Sequence, residues 1–470
     1  MILILLALLG ASATALLFME RRPGYFANAS LLGGILAVEL VLACMWRFEK
    51  VFLPATMLCF LAADTANPFA AVSFTLRWLF LLAGAVAGFV IWMKSNREQH
   101  FEAFHLIALF CIMAAAASAS ASSTPGIGGL KAGSLFLMFL FAATGGRAAM
   151  AGRERAFVYG LVRACEVLVF LISGCYLLGF NMFGNPNNLG AFIGVLALPV
   201  LLWGGLMAEN RRQRQRCYLA LGLCGILLYV SVCRAAIMAD VILVIGLTIG
   251  LRRPRMLVRA AFAGALLLEL MAVANPGHMG EFVDTLTGRF LFKTGQTHTG
   301  VFGSRQSPWD DTVAAMKRHP WFGTGFGTSD VGQLDANVQT SSIYTKEGSN
   351  REHGSSYLAM AEYMGILGIL PFLLLLAILA RSVGRVYAWM RNTGSPAHYS
   401  VPLALVTAAG LIHAGFEDWL VAPGSYLCLA FWVCAFLLID MAPKPGPAFR
   451  AAMRPAAGAP QPLRQSTTPV

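Results

Sequence analysis

Apolar residues in this chain gather into runs of about 15–25 positions, divided by short polar breaks and showing no period-two alternation. A run of that length suits a helix crossing a hydrocarbon core about 30 Å thick, and the missing alternation argues against barrel strands. Inside lipid no water meets the backbone, so each run has to close its hydrogen bonds within itself, as a helix does. Candidate spans lie near 2–19, 30–46, 51–64, 75–92, 101–118, 131–145, 157–179, 187–207, 217–231, 235–251, 257–275, 356–380, 400–415 and 423–441. The segments 51–64 and 131–145 are short, so the expected total is about 12–14 spans. The fold class is therefore all-α: a polytopic transmembrane helical bundle with one large extracytoplasmic loop.

The polar breaks differ in charge. ENRRQRQR (209–216), LRRPR (251–255), KSNREQ (94–99), GRERA (152–156) and RSVGRVYAWMRN (381–392) are basic and fall on one side if the spans alternate. ADTANPF, ASSTPGIGG, GFNMFGNPNN, FEDWLVAPG and a long insert fall on the other side. Basic residues favour the cytoplasm, which puts both termini inside and the insert outside. Arg21 and Arg22 are the one exception. They follow the N-terminal apolar run, which lacks a basic n-region and reads as an uncleaved first span. The expected layout is a transmembrane region over 1–275, a periplasmic loop over 276–355, a second transmembrane region over 356–441 and a disordered cytoplasmic tail over 442–470, rich in Pro and Ala. Within the loop, PWDDTVAAMKR (308–318) reads as a short amphipathic helix. Pro308 sits at its start, Asp310 and Asp311 in its first turn, and Lys317 and Arg318 in its last.

Composition agrees with a membrane protein: 57% of residues are hydrophobic, 12% are charged and mean hydropathy is +0.67. The net charge of +12 does not imply nucleic-acid binding, because the basic residues lie in separate short breaks and form no continuous face. The cysteines stand singly in or beside apolar runs, with no C-x-x-C pair and no metal spacing, as packing thiols do.

The candidate chemistry clusters at the outer ends of the spans. Arg234, in SVCRAA, lies between two apolar runs. It either snorkels to the interface or grips a lipid phosphate with its planar fork. In GNPNNLGAF, Asn185 and Asn187 flank Pro186 at a helix start. That placement suits capping and also the contact of a polar ligand. Arg305 and Trp309 precede HPWFGTGFGT, whose glycines at 323, 325 and 327 allow close backbone approach to a ligand or to another segment. No strand precedes that run and no helix directly follows it, so a dinucleotide loop is excluded. His353 follows Arg351 and Glu352 where the loop returns to the membrane. An imidazole there can take a proton from a sugar hydroxyl, with Glu352 orienting it or simply solvated. His413 and Glu417 are spaced to share a helical face, and Glu417 and Asp418 close that span as interfacial charges or as part of the same cavity.

The ordered set NPNNLGAF, SVCRAA, Arg305-x-x-x-Trp309, HPWFGTGFG, EHGSSYL and EYMGILG resembles the O-antigen ligase and polysaccharide polymerase superfamily. The likeness is concentrated in residues 180–380. It implies a metal-independent, cofactor-free membrane glycosyltransferase of the GT-C type, such as an exopolysaccharide or O-antigen polymerase or a lipopolysaccharide O-antigen ligase. Such an enzyme moves glycan from an undecaprenyl-diphosphate carrier to a glycan or lipid-linked acceptor hydroxyl on the periplasmic face of the bacterial inner membrane. The resemblance gives His353, Arg234 and Arg305 catalytic roles. Arg351, Glu352, Trp309, Asn185 and Asn187 are the accompanying substrate-binding candidates. One departure is His353-Gly354, where many members have His-Asn. The rival readings are a polysaccharide transporter and a non-catalytic membrane component of glycan assembly.

Overall fold

The structure, a computed structural model, describes residues 29–67, 70–94, 101–273, 303–328 and 353–444. The candidate span at 2–19, most of the long loop with Arg351 and Glu352, and residues 445–470 lie outside the described residues.

The helices in chain order are α1 (Ala29–Met45), α2 (Leu53–Ala63), α3 (Ala70–Lys94), α4 (Ala103–Ser120), α5 (Pro125–Met150), α6 (Glu154–Leu177), α7 (Pro186–Leu206), α8 (Arg211–Ser231), α9 (Arg234–Gly250), α10 (Pro254–Val273), α11 (Gly303–Arg318), α12 (Ser356–Thr393), α13 (Ser400–His413) and α14 (Tyr426–Met441). No strand occurs among the described residues, so the chain is an all-α polytopic bundle. Among the described residues six helices, α3 to α7 and α12, are by themselves long and apolar enough to cross a bilayer. Each predicted span within the described residues coincides with a helix. The weak candidate 131–145 is the middle of the long helix α5, which contains a wider π-type turn over Phe141–Gly146.

The core forms around α14, which is apolar on every face and buried from Tyr426 to Ile439. A helix without a polar face has to lie inside a bundle or a membrane. Trp432 packs 4.7 Å from the Phe139 ring of α5 and 5.2 Å from Phe431, and its Nε1 donates to Leu420 O at 2.8 Å. In lipid such contacts hold helices together through packing and hydrogen bonds, because the tails are as apolar as the side chains.

The polar breaks gather at two ends. At one end Arg153 pairs with Glu49 at 3.6 Å, Lys444 with Glu102 at 2.7 Å, and Trp203 Nε1 donates to Pro396 O at 2.8 Å. At the other end Ala66 N donates to Met182 O at 2.6 Å, and Tyr426 N to Asp64 Oδ2 at 3.0 Å.

Three details differ from the sequence reading. The basic segment 381–392 is helical, because α12 continues to Thr393 with Ser382, Val386 and Met390 buried along one side. Residues 211–216 are likewise the first turns of α8, started by Asn210, whose side chain accepts from Gln213 N at 2.8 Å. Pro308 lies inside α11 rather than at its start, since the helix already begins at Gly303, and Asp310 and Asp311 are therefore not in its first turn. A proline there lacks its N–H and its ring crowds the carbonyl one turn back, while the Thr312 hydroxyl donates to Pro308 O at 2.8 Å, one turn on.

The decisive local feature is a break in α12. Gly365 has φ 61° and ψ −164°, outside helical space and in the half of the map that side chains avoid. The backbone groups released there are taken up by HPWFGTGFGT. Thr324 N donates to Glu362 O at 2.9 Å and Gly325 N to Tyr363 O at 3.2 Å. Ile366 N donates to Pro320 O at 2.9 Å and Leu367 N to Trp321 O at 3.3 Å. The glycine-rich run thus meets another segment of the chain, and a β-carbon on Gly323 would fall on the backbone of Glu362 and Tyr363. A methyl on Gly365 would stand 2.5 Å from the Trp321 backbone. Gly365→Ala should cost more than about 2 kcal/mol from left-handed strain plus that collision. The check is the thermal unfolding midpoint in detergent, and an unchanged midpoint would show that this junction contributes little.

Candidate functional site

His353 is the centre of the end that carries α11 and the 414–425 turn. Its ring is fully buried. Two carboxylates flank it: Nδ1 and the backbone N–H both reach Asp418 Oδ2 at 3.1 Å, and Nε2 lies 3.3 Å from Glu362 Oε2. Asp418 accepts from the Nδ1 side, which leaves Nε2 as the nitrogen facing Glu362. The Tyr363 ring meets the imidazole edge-on at 4.9 Å between centroids.

Local sequence explains how the ring is held. Ser356 opens α12, and its N–H donates to Ala414 O at 2.8 Å and to Glu417 O at 3.0 Å. Its hydroxyl donates to Glu417 O at 2.6 Å and accepts from Leu420 N at 3.1 Å. One serine therefore ties the first turn of α12 to the turn that carries Glu417 and Asp418, while the break at Gly365 sets Glu362 on the other side of the ring. Between them Gly354 sits at φ 64°, with its carbonyl accepting from Trp309 Nε1 at 3.3 Å. Asn is the other residue that tolerates this left-handed conformation, so His-Gly and His-Asn answer the same backbone demand. A β-carbon on Gly354 would come 3.0 Å from Arg305 Cδ.

Arg305, from α11, forms an ion pair with Glu417. Asn187 Nδ2 donates to the same Glu417 Oε1 at 3.4 Å. The fold thus brings His353, Arg305, Trp309 and Asn187 together around residues 417 and 418, although they come from α7, α11 and the start of α12. Asn185 caps α7, its side chain accepting from Asn187 N at 2.9 Å, with Pro186 in the first turn. Arg234 is the first residue of α9, half-exposed, after Val232 in a left-handed turn at φ 50°. Arg351 and Glu352 lie outside the described residues.

His413 and Glu417 do not share a helical face. Helix α13 ends at His413, and the chain turns before Glu417. His413 is buried behind the site, where Nδ1 accepts from Trp419 Nε1 at 2.8 Å and Nε2 stands 3.8 Å from Cys233 Sγ.

For Asp418 the sequence leaves open an interfacial charge or a place in the cavity, and the structure places it against His353; Glu362 is not among the sequence candidates. The available signal for Glu362 was its cost: an acid nine positions beyond His353 in an otherwise apolar run needs a partner.

The residues 219–373 match the family model described as O-antigen ligase. That match supports the O-antigen ligase superfamily. The matched segment contains Arg234, Arg305, Trp309, His353 and Glu362, while Asn187, Glu417 and Asp418 lie outside it. With the apolar helices the match points to a multi-pass membrane protein, and it supports a membrane glycosyltransferase family of the O-antigen ligase or polymerase type. A search of curated proteins returns no match to the chain.

The electrostatics of the pair are consistent. Burial pushes the His353 pKa down, but the carboxylates of Asp418 and Glu362 outweigh it, and the net direction is up. Burial alone would push Asp418 up, and its bonds from His353 hold it below the ordinary carboxylate value. A raised folded pKa for His353 means that its stabilising contribution is complete below the unfolded value of about 6.5 and is lost as pH rises through the folded value. The Asp418 contribution is already complete above about pH 4 and stays constant across that window. The unfolding midpoint of the native protein should therefore fall as pH is raised from about 6.5, and His353→Gln should flatten that slope. Parallel slopes for the two proteins would contradict the assignment.

Proposed function

We propose that the chain transfers a glycan from an undecaprenyl-diphosphate carrier to an acceptor hydroxyl at the periplasmic face of the bacterial inner membrane. The acceptor is a growing lipid-linked glycan if the chain is an exopolysaccharide or O-antigen polymerase. It is a lipid-linked core if the chain is an O-antigen ligase. The observation that carries this reading is the meeting, inside and beside the family-matched segment, of a buried histidine held by carboxylates with an arginine from the loop helix.

The steps follow from those groups. The acceptor hydroxyl gives its proton to His353 as its oxygen attacks the anomeric carbon. The bond from that carbon to the diphosphate oxygen breaks, and the electron pair leaves with the diphosphate. Asp418 keeps the imidazole oriented and stabilises the imidazolium that forms. The leaving group is already acidic, so it calls for charge neutralisation, which Arg305 and Arg234 supply outside bulk water. For Arg305 to meet a diphosphate, Glu417 has to give up its place as partner. The reaction so written uses no metal ion, and the apolar helix faces take the isoprenoid chain. The basic end, with Arg153, Arg211 and Lys444, faces the cytoplasm by the positive-inside rule. A transporter also uses broken helices, but here the backbone groups released at Gly365 are taken up by residues 320–325 of the same chain.

The test is incubation of the purified protein with an undecaprenyl-diphosphate-linked repeat unit. A ladder of longer lipid-linked products marks a polymerase, and product only after addition of a lipid-linked core marks a ligase. His353→Ala should lower turnover by about 10²–10⁴-fold, and Arg234→Lys should lower it by about tenfold through loss of the bidentate fork. Full activity in membrane-inserted His353→Ala would sink the proton-transfer role.

A further inference from the structure

Glu362 stands apart from the groups discussed so far. It comes from the N-terminal part of α12, is 1% exposed, and is aimed at the ring nitrogen of His353 that Asp418 does not hold. Its placement is costly to arrange. The carbonyl of Glu362 itself accepts from Thr324 N across the helix break, and the Thr324 hydroxyl lies 3.4 Å from the same oxygen. The next carbonyl, that of Tyr363, receives Gly325 N and the hydroxyl of Ser118 from α4. Two other segments of the chain, residues 324–325 and α4, therefore fix the backbone on which this one carboxylate hangs.

We propose that Glu362 is a positioning residue that sets the basicity of His353 at Nε2, the nitrogen that receives the acceptor's proton. This rests on the glycan-transfer reading above and adds the group that tunes it. The neutral imidazole presents a lone pair at Nε2, and a carboxylate 3.3 Å away disfavours that form. The imidazolium presents an N–H there, which the same carboxylate stabilises. Glu362 thus makes His353 a stronger base and moves the pH at which it becomes free to act upward. The other groups around the ring, among the described residues, are Asp418 on Nδ1, the Tyr363 phenol edge-on to the ring, and the Arg305–Glu417 pair beside Gly354. The arginine acts against the imidazolium, and Asp418 and Glu417 act for it. Asp418 is retained when Glu362 is changed, so the two carboxylates can be separated.

The experiment is ¹³C NMR of the full-length protein in detergent, labelled at histidine Cε1, with the His353 signal assigned by its loss in His353→Gln. In the native protein the His353 midpoint should lie above the ordinary value of about 6.5, and Glu362→Gln should lower it by about one pH unit or more. Glu362→Asp should recover part of the difference. The acid limb of glycan transfer should move the same way, with KM little changed. A native midpoint at or below about 6.5, or a midpoint that Glu362→Gln leaves in place, overturns the proposal. That measurement needs no substrate, so it is read independently of activity. Full glycan transfer by His353→Ala would instead overturn the functional reading on which the proposal rests.

Discussion

The arrangement depends on one constraint: a helix broken within a membrane has to find partners for the backbone groups it releases. The break at Gly365 frees donors and acceptors on both sides, and the loop segment from Pro320 to Gly325 satisfies them with its own backbone. Glycine is needed on both strands of this contact, because a β-carbon on either Gly323 or Gly365 would overlap the opposite backbone. Residues 320–325 are in this way part of the bundle, and their position relative to α12 is set by backbone hydrogen bonds.

From that junction the site follows. The turn before the break carries Glu362, His353 lies just ahead of the same helix, and Ser356 binds the helix start to the turn holding Asp418. Two carboxylates around a buried imidazole form a compact unit that bears one net negative charge when the ring is protonated. Burying such charges costs several kcal/mol for each ion unless each finds a partner. Arg305 and Glu417 repeat the pattern one residue further out. The Arg305–Glu417 pair is neutral as a pair, so the site as a whole keeps that net negative charge. An anionic diphosphate arriving there has to compete with Glu417 for the guanidinium, so a rearrangement of that pair accompanies binding in the proposed mechanism.

The His353–carboxylate cluster and the family-matched segment overlap only in part. His353 and Glu362 lie within residues 219–373, and Asp418 lies beyond them. Asn187, from α7, and Glu417 likewise complete the surroundings from outside that segment. The site is a property of the whole bundle end, in which the matched segment supplies the loop and the long helix while α7 and the turn after α13 close it.

The periodicity of apolar residues was sufficient to read the helices. A run too long and too uniformly apolar for anything but a membrane helix announces itself without knowledge of its neighbours, and each such run within the described residues is helical. Candidate residues at run ends, such as Asn185, Arg305 and His353, were legible for a similar reason: polar groups at those positions are few and costly. What pairs with what was not legible. Glu352, adjacent in sequence, was the natural partner to name for His353, whereas the contacts within the described residues come from Glu362, nine positions on, and from Asp418, 65 positions away. The glycines of HPWFGTGFGT announced a close approach, and only the fold shows that α12 is what they approach. The four-residue spacing of His413 and Glu417 suggested one face, and the helix stops between them. Local propensity and hydrophobic length act over one or two turns and can be read from neighbours in the chain. Partners for buried charges and for a broken backbone are chosen by proximity in space, which only tertiary packing decides.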